Sequence, residues 1–408
     1  MGVREDGNQI IEAALTSALP DVAIKEALAG INFNQGRLIV VSIGKAGWQM
    51  AKAASVVLGE KIDEGFVVTK YGHVQGEIQR FTCFEAGHPV PDQNSFNATK
   101  MCMEAVSSLK EDDNVLFLIS GGGSALFESP IISGAHLADI TEQLLKSGAD
   151  IVEINTIRKR LSQVKGGRFA QLCNPGHVFS IILSDVIGNP LDMIASGPAH
   201  VDTSTSEDAL RIIDKYGIVL PAEIKSMLLQ ETPKELHNVS TFIAGDVEKL
   251  CTSAKDKAKE LGYKTLILTK SLACQAKEAG LFLGAIAKDH QKEKIAFICG
   301  GETVVKVTGN GLGGRNQELA LMAALEISGL KNTVIFSVGS DGTDGPTDAA
   351  GGFVDGTTYA RLKEAGINVF KVLEDNDSYN ALKAVDSLIV TGPTGTNVND
   401  LTVVLIDN

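Results

Sequence analysis

Nine short runs rich in β-branched and aliphatic residues punctuate the chain, at 38–43, 66–69, 115–119, 178–183, 241–244, 264–268, 295–299, 333–338 and 388–391. They are bounded by glycine or polar residues and are apolar without strict alternation, which marks strands buried on both faces. Helical stretches at 46–58, 98–109, 316–327 and 359–365 lie between several of them. A doubly covered strand followed by a helix returns to its sheet by a crossover, so the alternation predicts an α/β fold built on mostly parallel sheets. In such sheets ligands gather beyond the carboxyl ends of the strands, where loops vary and helix N-termini point their amides outward. Chemistry is therefore expected in the loops that leave those strand ends.

The length of 408 residues implies more than one core, since a domain usually takes about 100–200 residues. The polar, proline-containing stretch 230–240 (QETPKELHNVS) separates two sets of strands and predicts domains over 1–236 and 237–408. Fifty acidic against 37 basic side chains leave a net charge of −13. That field repels polyanions, so neither nucleic acid nor an anionic membrane is expected as a partner, and a small anionic substrate needs a local basic patch. No apolar stretch approaches the ~18 residues of a membrane span. The start MGVREDGNQI has no apolar signal core, and six scattered cysteines form no CxxC pair. A reducing cytoplasm is the expected location.

Several strand ends carry candidate chemistry. After 38–43 comes GKAGWQMAKA, with Gly44 and Lys45 at a strand-to-helix turn where an ammonium would meet an anion. It is not a GxxxxGK[ST] loop, because Ile39 and Ala46 stand where that pattern needs Gly and Ser or Thr. After 115–119 comes SGGGSAL, in which Gly121, Gly122 and Gly123 let the backbone approach a phosphate and Ser124 adds a hydroxyl. The serine-hydrolase pattern GxSxG fails here, since Leu126 replaces its second glycine. The stretch NTIRKRLSQVKGGR places Arg158, Lys165 and Arg168 toward one side of a helical path, a basic patch suited to a small anion or to phosphates.

Carboxylates come after two further strands: Asp185 and Asp192 in SDVIGNPLDMIASGP, and Asp341, Asp344 and Asp348 in GSDGTDGPTDAAGG. Aspartates on glycine-rich loops suit a hydrated Mg²⁺ shared with phosphate oxygens, whereas the EF-hand pattern fails because Gly352 occupies its terminal glutamate position. Asx-turns without metal are the structural alternative for each aspartate. Gly309, Gly311 and Gly314 satisfy GxGxxG, a dinucleotide fingerprint that wants an acidic residue roughly twenty positions on. Asp341 lies 27 beyond Gly314, and Arg315 brings a cation to the helix start. These glycines alone leave kinase and dehydrogenase equally open.

Taken together, GKAGWQMAKA, GHPVPD (87–92), SGGGSAL, NTIRKRLSQVKGGR, SDVIGNPLDMIASGP, GGETVVKVTGNGLGGRNQE, SDGTDGPTDAAG, NDSY (376–379) and TGPTGTNVNDL (391–401) resemble the type-2 glycerate kinase family, whose C-terminal part is the MOFRL domain. The motifs run in the family's order over nearly the whole chain. The resemblance implies an N-terminal Rossmann-like domain over 1–236, a MOFRL-type α/β domain over 237–408, and an active site in the cleft between them. It implies ATP and Mg²⁺ as cofactors and D-glycerate as substrate, phosphorylated on its 2-hydroxyl; a homodimer is compatible with it. Lys45 and Arg315 correspond to the family's cleft cations. On this reading Gly121, Gly122, Gly123, Ser124, Gly311, Gly313 and Gly314 bind the nucleotide, and Arg158, Lys165 and Arg168 hold the glycerate carboxylate. Asp185 and Asp341 bind metal, with Asp185 also counted as catalytic and Asp185 or Asp348 able to take the hydroxyl proton. Asn189 replaces an aspartate common in relatives. Some members carry the name hydroxypyruvate reductase, which keeps an NAD(P)H-dependent reductase as the alternative, and a non-catalytic nucleotide sensor as a third reading.

Overall fold

The apolar runs of the first half assemble into one sheet. In the computed structural model, which describes residues 2–408, strands β1 (Leu38–Ile43), β2 (Glu64–Lys70), β3 (Phe81–Ala86), β4 (Asn114–Ile119), β5 (His177–Leu183) and β6 (Val239–Gly245) lie in the order β3-β2-β1-β4-β5-β6. The pairings from β3 through β5 are all parallel. From β1 the chain moves outward to β2 and β3, then returns to β4 on the other side, so β1 and β4 flank the switch point of a doubly wound sheet.

β1 (LIVVSI) and β4 (NVLFLI) are buried at every residue, as strands covered on both faces must be. Their period of two divides the side chains between two cores. Ile39, Val41, Ile43, Phe117 and Ile119 enter one apolar cluster; Leu38, Val40, Leu116 and Leu118 enter the other. Phe117, Phe127 and Phe169 meet in the first, with ring centroids 4.8–5.6 Å apart. A separate apolar cluster joins the helices Gly134–Lys146, Ile151–Arg160 and Ser206–Tyr216 through Leu137, Ile140, Ile157, Ile212 and Ile213. These helices and the sheet form one unit, Ala23–Ala244.

The chain up to Val22 and Gly245–Asn408 make the other unit. Its strands β7 (Lys264–Leu272), β8 (Lys294–Gly301), β9 (Thr333–Gly339), β10 (Gly351–Asp355), β11 (Leu388–Ile389) and β12 (Asp400–Asp407) form a sheet in the order β11-β10-β9-β12-β8-β7. Here the expectation of a mostly parallel sheet is corrected. Only β7 and β8 pair in parallel; β12 inserts antiparallel between β8 and β9, and β10 and β11 continue antiparallel. The chain's last strand, DLTVVLID, is buried over its first seven residues and takes a central position. Burial of an apolar run fixes its depth in a sheet but not its direction.

The domain limits are corrected too. The helix Val3–Ser17 belongs with the C-terminal unit because Ile10, Ile11, Ala14 and Leu15 pack in one cluster with Leu250, Ala254, Phe336 and Phe353. The buried Tyr263 hydroxyl donates to Asp6 at 2.7 Å, anchoring the same helix. At the other limit, β6 joins the first sheet, so the boundary falls at 244 rather than 236. A Cβ on Gly7 would lie 2.7 Å from the Phe353 ring. Gly7→Val is therefore expected to lower stability by about 1–3 kcal/mol through overpacking, seen as an earlier midpoint in urea unfolding; an unchanged midpoint would contradict this seating. Among the described residues no helix is long and apolar enough to cross a membrane.

Candidate active site

Parallel strands send their trailing loops to one rim, and five of them bring polar residues there. Lys45 follows β1, Lys70 and His73 end or follow β2, His88 follows β3, Gly121–Ser124 follow β4 and Asp185 follows β5. The Lys45 amide donates to the Gly121 carbonyl at 2.8 Å, which ties the β1 and β4 loops across the switch point. His73 Nδ1 donates to the Lys45 carbonyl at 2.9 Å, because a carbonyl can only accept. The Lys45 ammonium itself has no hydrogen bond or ion pair among the described residues.

The glycines of the β4 loop are set by what surrounds them. A Cβ on Gly121 would collide with the Asp185 carboxylate, and one on Gly123 would lie 2.7 Å from the Ala195 side chain. On Gly122, in the left-handed region at φ 86°, a Cβ would lie 3.0 Å from His88 and 3.3 Å from the Lys45 stem. Asp185, His88 and Lys45 thus close around bare backbone. The amides of Gly121, Gly122, Gly123 and Ser124 have no intramolecular acceptor among the described residues. Four undonated amides beside an unpaired ammonium form a cradle for an anion. Gly121→Ala is expected to lower kcat/KM for nucleotide more than tenfold while thermal stability falls by no more than about 2 kcal/mol; full activity would show that the close approach to Asp185 is dispensable.

Support for this loop comes from below. The Ser124 carbonyl accepts from Lys165 Nζ at 2.8 Å and from Arg158 Nη2 at 3.0 Å, and the Phe127 carbonyl accepts from Lys165 at 3.0 Å. Both cations face Glu128, at 3.4 Å from Lys165 and 3.6 Å from Arg158. Lys165 and Glu128 are fully buried. Burial pushes the Lys165 ammonium down to about 8, although Glu128 favours its charge. The Ser124 hydroxyl meets the Ser196 hydroxyl at 2.9 Å, and Ser196 donates to Asn155 at 3.1 Å. Ala195 and Ser196 hold left-handed backbone at φ 52° and 62°, a local strain of about 1–3 kcal/mol each of the kind found at binding loops.

In the C-terminal unit the helix Arg315–Glu326 starts beside a group of acids. Arg315 binds Asp400 with two bonds, at 2.6 and 2.9 Å, and Glu302 at 2.8 Å. Burial opposes the charge of this guanidinium, but Asp400 outweighs it and holds the group above its ordinary pKa. Asp344 accepts from the Gln317 and Asn316 amides at 2.9 and 3.2 Å, capping the helix; burial raises it to about 6 against those bonds. Asp341 accepts from the Thr343 amide at 2.9 Å, an Asx-turn, and Asp348 accepts from the Tyr379 hydroxyl at 2.7 Å. Among the described residues no three His, Cys, Asp or Glu side chains form a group able to hold a metal ion.

The profile of a domain of unknown function, DUF4147, matches residues 6–229, and that of the MOFRL family matches 295–400. The sequence is 53% identical to the D-glycerate 2-kinase of Thermotoga maritima, over 98% of this chain and 97% of that one. It is 42% identical to the glycerate 2-kinase of Pyrococcus horikoshii, over 100% of this chain and 98% of the relative. A crystal structure of glycerate kinase from Thermotoga maritima superposes with a TM-score of 0.96 at 53% identity, covering 99% of both chains. The chain belongs to the glycerate 2-kinase family.

Within this glycerate 2-kinase fold the expected site residues separate into groups. Lys45, Gly121–Ser124 and Asp185 are brought together in the N-terminal unit. Lys165 is not available to a substrate: its ammonium is enclosed by two carbonyls and Glu128. Arg168 donates to the carbonyls of Lys159, Arg160 and Ser162 and closes the end of the helix Ile151–Arg160, which is structural work. Arg158 serves the same loop as Lys165. Of the nucleotide glycines expected in the C-terminal unit, Gly311 has its amide engaged, whereas the amides of Gly313 and Gly314 have no acceptor among the described residues. The amides of Gly309, Asn310, Gly311 and Leu312 all donate at 2.7–3.0 Å to Asp375, Asn376 or Asp377, so the turn is pinned internally as far as Leu312.

Sequence reasoning passes over His88, His73 and Glu128, and counts Lys159 in the basic run NTIRKRLSQVKGGR without a role of its own. Lys159 bridges Asp192 at 3.0 Å and Asp202 at 3.2 Å, fastening the loop after β5. His88 lies in GHPVPD, a motif that supports the resemblance but suggests no chemistry by itself. Its position after a strand is the available signal, hidden because the edge strand β3 (FTCFEA) carries a mixed, half-exposed pattern.

Proposed function

We propose that the protein is an ATP-dependent D-glycerate 2-kinase, transferring the γ-phosphoryl group to the 2-hydroxyl of glycerate to give 2-phosphoglycerate and ADP. The observation that carries this reading is the anion cradle at the switch point, four amides with no acceptor and the unpaired Lys45 ammonium, in a chain similar over its full length to kinases named for this reaction. Phosphoryl transfer asks a protein chiefly to align the reactants and to neutralise charge on the phosphoryl oxygens. Gly121, Gly122, Gly123 and Ser124 hold phosphate oxygens by their amides, with Arg158 and Lys165 fixing the Ser124 carbonyl behind them. Lys45 neutralises the transferring group. Arg315, oriented by Asp400 and Glu302, is assigned to the same task by the resemblance alone.

Mg²⁺ fits the donor chemistry of the rim, because a hydrated magnesium needs only one or two carboxylates and takes its other oxygens from phosphates and water. Asp185, beside Gly121, would hold it, with Asp341 as a second candidate in the C-terminal unit. When bound it would shield the charge of the phosphates. The reductase alternative is weaker: relatives named putative hydroxypyruvate reductase are 37% and 38% identical, below the 53% and 42% of the kinases, and the dinucleotide-type glycine turn has its amides engaged from Gly309 to Leu312.

One assay separates the readings. Purified protein with ATP, Mg²⁺ and D-glycerate is read by ADP release and by ³¹P NMR of the product, beside hydroxypyruvate with NADH or NADPH read by absorbance. ADP release dependent on glycerate and Mg²⁺, with phosphorus on the 2-position, is the expected result. Reduced-nicotinamide oxidation without ADP release would overturn the reading.

A further inference from the structure

The kinase roles leave the motif GHPVPD without a task. Its histidine is placed on the rim by the β3 loop. His88 Nε2 and Cδ2 stand 3.1 and 3.0 Å from the position a Cβ on Gly122 would take, and the Lys45 stem stands 3.3 Å from the same point. Imidazole, ammonium stem and phosphate loop therefore share one small volume. His73, His177 and His290 each have a ring nitrogen engaged, with Lys45, Ser240 and Glu293 in turn. His88 has neither nitrogen engaged among the described residues. An imidazole in the site with a free nitrogen can accept a proton.

We propose that His88 is the general base of the transfer, taking the proton from the glycerate hydroxyl as that oxygen attacks the γ-phosphorus of ATP. The proposal rests on the kinase reading. The new bond joins the hydroxyl oxygen to phosphorus. The bond from phosphorus to the β,γ-bridging oxygen breaks, ADP leaves with the electron pair, and the imidazolium returns its proton to water. The surroundings suit this role. Burial first, then the charges of Lys45, Lys70 and His73, keep His88 below its ordinary pKa, so the ring is neutral and able to accept in neutral solution. No carboxylate contributes to that shift.

The test uses the full-length protein and the variants His88→Ala and His88→Gln. The transition state of phosphoryl transfer is loose, so a base contributes toward the lower end of its usual range. The expected result is a fall in kcat of about 10²-fold in both variants, with KM for ATP and glycerate changed less than about threefold. Added imidazole should restore His88→Ala by at least ~10-fold, filling the space of the missing ring. Thermal unfolding of His88→Gln, which keeps a polar side chain of similar reach, guards against loss of fold. A kcat within about fivefold of wild type, or a loss confined to KM for ATP, would overturn the proposal and make His88 a bystander or a phosphate ligand. Wild-type protein without glycerate-dependent ADP release would instead overturn the kinase reading itself.

Discussion

Replacing Lys45 by alanine is expected to lower kcat at least ~10³-fold while leaving the fold intact. The two halves of that expectation have separate causes. Lys45 backbone groups are held by Gly121, His73 and Thr69, and an alanine keeps all three bonds. Its ammonium has no partner among the described residues, so removing it strands no buried carboxylate and opens no ion pair. A charge with nothing to balance, beside amides with nothing to bind, is instead poised for negative charge that arrives with substrate. Such groups act in a partly desolvated rim, where fixed charges cost no reorganisation as the transition state forms. The check is kcat from ADP release at saturating ATP and glycerate, with thermal unfolding alongside. A loss under about tenfold with a normal melting curve would remove Lys45 from the chemistry.

The second large effect is on stability. Lys165→Met should destabilise the N-terminal unit by about 3–5 kcal/mol, because it leaves Glu128 fully buried with only Arg158 nearby. The paired variant Lys165→Met/Glu128→Gln should recover much of that loss, since the uncompensated charge is gone. Even so it should remain impaired in nucleotide affinity, because the Ser124 and Phe127 carbonyls lose their shared donor and the loop they fix loses its rigidity. The pH dependence carries a sign. Lys165 binds its proton less tightly folded, at about 8, than unfolded, at the ordinary lysine value of 10.5, so between those values the unfolded chain holds more protons. Stability conferred by this residue therefore rises with pH across that window. The difference in urea unfolding free energy between wild type and Lys165→Met should grow from pH 8 to 10.5; a difference that shrinks would show that Lys165 is not desolvated.

The strands β1, β4 and β5 are legible in the sequence because strands covered on both faces leave unbroken apolar runs. β3 is not, since an edge strand is half polar, and β10 (GGFVD) is hidden by its glycines. Strand direction in the C-terminal sheet leaves no trace in the pattern, because an apolar run reads the same whichever way it lies. At the site, glycine clustering after β4 is a local signal of close approach, and the side chains of Asp185, His88, Lys45 and Ala195 do crowd that backbone. The basic run 158–168 reads as a substrate clamp because charge density shows where cations are, not which carbonyls enclose them. The pinning of the GxGxxG turn is hidden for a related reason. The turn's amides from Gly309 to Leu312 are taken by Asp375, Asn376 and Asp377, residues 64 or more positions away whose approach no local pattern announces.

A crystal structure with a non-hydrolysable ATP analogue and Mg²⁺ would be the most direct measurement. The expected result is phosphate oxygens within hydrogen-bond distance of the amides of Gly121–Ser124 and of the Lys45 ammonium, with His88 facing the γ-phosphate. Phosphates seated on the turn at 309–314, with the β4 loop left empty, would contradict it.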